Sequence, residues 1–158
     1  MASTDGAILD FDGTLFTVIT TTGTVANGIF TVAGTNATLT EFDNSSDLWP
    51  DAVATLSIPD TFVAAPDAGS TIDLYLFKQD VDGTLDEIPP TTTSAEGAHY
   101  VGSFKITAND VNNPQQFTFS MYGIRKCKFA FQNNSGQTMS FSAGATVKVE
   151  GLTLKPSA

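Results

Sequence analysis

Asp10-Phe11-Asp12-Gly13-Thr14-Leu15, preceded by Ala7-Ile8-Leu9, admits two readings that lead to different folds. In one, the paired carboxylates form an active site at the end of a strand. In the other, Asp-Gly is turn chemistry between two β segments. Asp80-Val81-Asp82-Gly83-Thr84-Leu85 repeats nearly the same string, with nothing around it to suggest a strand-end nucleophile. A turn explains both copies at once. The residues that follow the first copy, Phe16-Thr17-Val18-Ile19-Thr20-Thr21-Thr22, are a β-branched run poorly suited to a helix.

Outward from that string the chain reads as short β segments between turn formers. Leu15 to Ile19, Gly28 to Val32 and Ala37 to Phe42 come first, separated by Thr-Thr-Gly and Ala-Gly-Thr-Asn. Asp43 to Asp51 is polar, and Pro50 prevents an uninterrupted helix, so a loop is expected there. From Val53 the alternation strengthens: Ala54 to Ile58, Ile72 to Phe77, Tyr100 to Ile106, Gln116 to Met121, Cys127 to Gln132, Thr138 to Phe141 and Thr146 to Leu154. Phe117, Phe119 and Met121 share one face of their segment, as do Cys127, Phe129 and Phe131. Two facing sheets would bury both rows in one layer. The predicted fold is all-β, an antiparallel β-sandwich with a jelly-roll-like arrangement. Residues 1–50 are read as an N-terminal β-rich arm or subregion and residues 51–158 as the sandwich domain. An alternative lets the early strands complete the same sandwich.

Composition agrees with strands and turns. Only 15 % of the 158 residues are charged, against about 25 % in ordinary soluble proteins. The 17 acidic and 7 basic residues give a formal charge of -10, which repels phosphate backbones and argues against nucleic-acid binding. Neither a leader-like start nor an apolar run of membrane-spanning length is present, so no membrane role is expected. Cys127 is the single cysteine and has no disulfide partner within the chain. Lys126 and Lys128 would lower its thiol pKa, but its place in an alternating strand points inward, to packing.

Three further groups carry side chains that could form sites. Asp80, Asp82, Asp86 and Glu87 surround Gly83 with the carboxylates a hard cation needs, but without the spacing of an EF-hand; a solvated acidic loop is the simpler reading. His99 is the only histidine and lacks a nucleophile motif, so an edge or surface role is expected. Tyr75, Tyr100, Tyr122 and Trp49 are the candidates for an exposed stacking platform, but sequence does not bring them together. No catalytic residue, metal ligand or cofactor is assigned.

Two resemblances bear on these readings. The first string resembles the nucleophile loop of haloacid-dehalogenase-type phosphatases. That likeness implies attack on phosphorus by Asp10, acid–base work by Asp12 and a bridging Mg²⁺. The family also needs a late acidic pair, whereas Asp110 and Glu150 are the only acids after Ile106, and its parallel sheet needs crossover helices that this chain hardly offers. The second covers roughly Val53 to Leu154. Thr71-Ile72-Asp73-Leu74-Tyr75-Leu76, Tyr100-Val101-Gly102-Ser103-Phe104-Lys105-Ile106 and Lys128 to Gln137 resemble small β-sandwich structural proteins of tailed bacteriophages. This likeness implies a noncatalytic capsid decoration (cement) protein on the virion surface, with the major capsid protein and its own copies, as a trimer, for partners. The alternative it leaves is a tail or fibre component that binds a host glycan. Ile88-Pro89-Pro90-Thr91-Thr92-Thr93-Ser94 is expected to be an ordered, non-regular, protruding loop.

Overall fold

The computed structural model describes residues 7–59, 65–67, 69–79, 88–107, 114–139 and 144–156. Among them every regular element is a strand: β1 (Ala7–Phe11), β2 (Phe16–Thr21), β3 (Ala37–Leu39), β4 (Phe42–Asp43), β5 (Asp51–Ser57), β6 (Thr71–Gln79), β7 (His99–Lys105), β8 (Gln115–Ser120), β9 (Lys126–Asn134) and β10 (Thr146–Pro156). They form two antiparallel sheets. The first runs β3-β2-β10-β5-β8, with β1 also on β10; the second runs β4-β9-β6-β7.

The alternation expected of the strands decides which side chains meet. Ala52, Ala54 and Leu56 of β5 and Val147 and Val149 of β10 turn into a core shared with Ile72, Leu74 and Leu76 of β6 and Cys127, Phe129 and Phe131 of β9. Rings from the two sheets touch directly, Phe119 with Phe129 at 5.9 Å and Phe104 with Phe117 at 4.7 Å between centroids. Each fully buried large apolar side chain contributes roughly 1.5 to 3 kcal/mol. Cys127 lies wholly inside this core. The region before residue 51 feeds the same core: β2 supplies Val18 and Ile19, β4 supplies Phe42, and Trp49 closes one end. Val18 is the extra residue where the β2–β10 register shifts, so it and its neighbour Ile19 are both buried.

The predicted strand over Gly28 to Val32 is replaced by an irregular cover on the free edge of β9. Thr31 N–H donates to the carbonyl of Phe131 (2.8 Å), but Phe131 N–H donates to the hydroxyl of Thr31 (2.9 Å) and not to its carbonyl. Asn36 holds the turn, accepting from Val32 N–H and donating to the Phe30 carbonyl. Local side-chain bonds have displaced the ladder. Thr138 to Phe141 reduces, within the described residues, to one bridge between Met139 and Val25. The proline loop is irregular as expected, and it is tied down: Phe30 N–H donates to the Thr92 carbonyl. On the outer face at the β4–β9 corner, Lys126 pairs with Asp43 (3.3 Å) and Glu41 (3.5 Å). Hydrogen bonds from Ser45, then Lys126, hold the Asp43 carboxyl below its usual range.

Candidate interaction surface

β1 and β2 run in the same direction along a single partner strand. Ala7 to Phe11 pair with Pro156 to Leu152, and Phe16 to Thr20 with Val149 to Thr146. Asp12 to Leu15 therefore stand opposite Glu150 and Gly151 alone, and the chain bulges outward without reversing. Asp12 N–H donates to the Gly151 carbonyl (3.0 Å), Gly13 N–H to Oε1 of Glu150 (2.8 Å), and Gly13 takes φ 87°. Only glycine adopts that conformation cheaply. Asp10 accepts the N–H of Phe11. The paired carboxylates thus sit in an antiparallel ribbon, not at the end of a parallel strand. No group of three or more His, Cys, Asp or Glu side chains placed to hold a metal occurs among the described residues. The acidic loop with Asp80, Asp82, Asp86 and Glu87 lies outside them.

The bulge marks where the sheet gives way to a ribbon. β5 follows β10 only as far as Leu152, and β2 only to Val149. Beyond these points the last residues of β10 pair only with β1 among the described residues. Phe11 on this ribbon is 53 % exposed. Two strands without a third are marginal alone, and their outer edges offer N–H and C=O groups to another chain.

A second surface lies where the sheets meet at β7 and β8. Among the described residues each is an edge strand, β7 bonded to β6 and β8 to β5. They touch at Gly102, where a Cβ would fall 2.6 Å from the Phe117 ring. Alongside, between His99–Val101 and Phe119–Tyr122, an open cleft of about 350 Å³ has Leu76, Val101 and Phe119 in its lining and His99, Tyr100 and Tyr122 along its sides. Tyr100 is 60 % and Tyr122 89 % exposed. Tyr122 also borders a smaller recess of about 250 Å³ with Leu48, Trp49 and Arg125. Leu48 is exposed and takes φ 52°, a conformation that costs a non-glycine residue energy. Asn44 fixes this corner: its amide donates to the carbonyls of Trp49 and Ile124 (both 3.1 Å) and accepts Trp49 N–H at 2.8 Å.

The four aromatic candidates separate into distinct roles. Trp49 is 3 % exposed and packed between Phe16 (5.9 Å) and Phe42 (5.7 Å), so no ligand reaches its face. Tyr75 is edge-on to Phe30 (5.4 Å) and Tyr100 (5.6 Å), and burial, reinforced by the Asp73 carboxylate, pushes its phenol above the ordinary value. Tyr100 and Tyr122 come together on the cleft. The Asp73 carboxylate beside Tyr75 is held by Ser103 and by the Asn134 amide, and Tyr100 OH meets Ser103 Oγ at 2.6 Å. Leu48 and the ribbon edge were not anticipated. The signal the sequence carries here concerns Tyr122, already a candidate: Met121-Tyr122-Gly123-Ile124 reads as a turn with Gly at its third position.

No protein-family model and no curated protein matches this chain.

Proposed function

We propose that the chain is a noncatalytic structural protein of a tailed-phage virion, a capsid decoration protein that self-associates as a trimer and binds the major capsid protein through its terminal ribbon. The strand order supports the architectural part of this reading. Taking β2, β4, β5, β6, β7, β8, β9 and β10 as eight successive strands, the first pairs with the last, the second with the seventh, the third with the sixth and the fourth with the fifth. That nesting, like a long hairpin rolled over on itself, supports reading the two sheets as a jelly roll, an architecture used by viral capsid and lectin domains.

A fold names no function by itself. The observation that carries the reading is the β1–β10 ribbon, which extends past both neighbouring strands and, among the described residues, pairs with no third strand there. A shell-binding protein needs a rigid body plus a segment able to add backbone bonds to a neighbour, and the ribbon supplies the second. Ordering it against a capsid would stabilise protein and shell together by mass action.

The test is co-sedimentation with expanded empty capsids assembled from the same phage's major capsid protein. Saturable binding at about 1 μM protein is expected. It should be lost in Leu9→Pro, which removes a backbone donor from the ribbon. Absence of binding by the unaltered chain would remove the proposal.

A further inference from the structure

We infer that Asn27 is a modification site: it deamidates when the cover over β9 opens, and the product keeps that cover from closing again. The inference holds wherever the protein sits in a virion. Of the chain's asparagines only Asn27 is followed by glycine. Glycine has no side chain to crowd its own nitrogen, so backbone attack on a preceding side-chain amide meets least hindrance there. In that reaction Gly28 N bonds to Asn27 Cγ, the Cγ–Nδ2 bond breaks, and ammonia leaves with the Gly28 amide proton. The resulting succinimide adds water at one of its two carbonyls. One opening gives aspartate, the other isoaspartate, with the main chain routed through the former side chain.

The folded chain withholds both reacting groups. Asn27 and Gly28 are the central pair of a turn closed by Ile29 N–H donating to the Ala26 carbonyl (3.1 Å), with Gly28 at φ 77°. Asn27 is exposed to water, yet its Oδ1 accepts Gly136 N–H at 2.9 Å. The attacking nitrogen is occupied as well, Gly28 N–H donating to the Asn133 carbonyl at 2.6 Å. Asn133 gives its own N–H to the Ile29 carbonyl (3.0 Å) and its side-chain amide to the Val25 carbonyl (2.8 Å). Gln132 Nε2 donates to the Gly28 carbonyl (3.0 Å). The turn is thus pinned to the end of β9 on both sides of the reacting bond. Reaction requires these bonds to release together, which is a local opening of the cover and leaves the core folded.

The product changes the same contacts. Isoaspartate lengthens the main chain by a methylene between residue 27 and Gly28, so Gly28 N–H and the Ile29 carbonyl no longer both meet Asn133. Either product adds a carboxylate to the open recess that Asn27 shares with Asp67, and like charges there oppose reclosing.

The experiment incubates the full chain in mildly alkaline buffer, folded and in urea above its unfolding midpoint. The peptide containing Asn27 is followed by mass spectrometry, with aspartate and isoaspartate forms separated chromatographically. Conversion at Asn27 is expected to be at least about tenfold slower in the folded chain than in urea. It should be several-fold faster in folded Gln132→Ala, which releases the Gly28 carbonyl, than in the folded unaltered chain. Hydrogen exchange at the Asn133 amide should quicken in the converted chain while the amides of β5 stay protected. Equal rates in the folded chain and in urea overturn the inference without recourse to any variant. No acceleration in Gln132→Ala with its β5 amides protected, or unchanged exchange at Asn133 after conversion, overturns it too.

Discussion

Gly151 and Trp49 act as one structural unit. A Cβ at position 151 would lie 2.0 Å from Cδ2 of Trp49, so the indole rests on bare backbone and in turn packs Phe16 and Phe42. Gly151→Ala is expected to destabilise the fold by about 2 to 3 kcal/mol through overpacking, read as a lower urea midpoint. An unchanged midpoint would mean the indole has room to move. Tyr75 contributes to the alkaline limit. Its phenol is raised above 10.0 because burial disfavours the charged form. The folded state thus holds the proton more tightly than the unfolded state. That stability is fully present below the ordinary tyrosine value and is lost as pH rises through the higher folded value. Tyr75→Phe should flatten the fall in stability above pH 10, measured by denaturation at fixed pH steps. At this scale the sequence could be read for type but not for company. Phe129 and Cys127 announced their burial by alternation, whereas the contact of Trp49 with a glycine from β10 left no local mark.

The terminal ribbon and the sheet it leaves should differ in local stability. Amides of β1, paired among the described residues with β10 alone, should exchange with deuterium far faster than those of β9, which pairs with β6 on one edge and with β4 and residues 28–31 on parts of the other. Equal protection would mean that the ribbon is not a separate unit. Leu9→Pro should accordingly lower global stability by less than about 1 kcal/mol while removing capsid binding. Turn chemistry in Asp12-Gly13 was legible, and Gly13 does take a left-handed conformation. What it joins was not legible: the residue that catches its N–H, Glu150, lies 137 positions away. The string reads locally as a hairpin because Asp-Gly makes hairpins; here a distant carboxylate and carbonyl hold it out as a bulge between collinear strands. Gly28 to Val32 failed as a strand for a related reason. Thr31 and Asn36 satisfy backbone groups with their side chains, and period-two spacing does not register that competition.

Across the whole molecule, two antiparallel sheets could be read from spacing because each buries a single face. Their order could not, since it depends on pairings between the ends of the chain. The meeting of Tyr100 and Tyr122 on the cleft follows from that order, with β7 and β8 the outer strands of the two sheets among the described residues. The charge of -10 predicts self-repulsion that salt relieves. Raising ionic strength from about 0.01 M to about 0.15 M, which shortens the Debye length from about 30 Å to about 8 Å, should raise the thermal midpoint. A falling midpoint would mean that attractive pairs such as Lys126 with Asp43 outweigh the repulsion. Electron cryomicroscopy of the intact particle at side-chain resolution would show the proposed attachment itself. A decoration role places this chain on the outer capsid surface in threefold clusters, with the edge of the β1–β10 ribbon hydrogen-bonded to the shell. Density for it only in the tail, or on the capsid with the ribbon turned away from the shell, would contradict it.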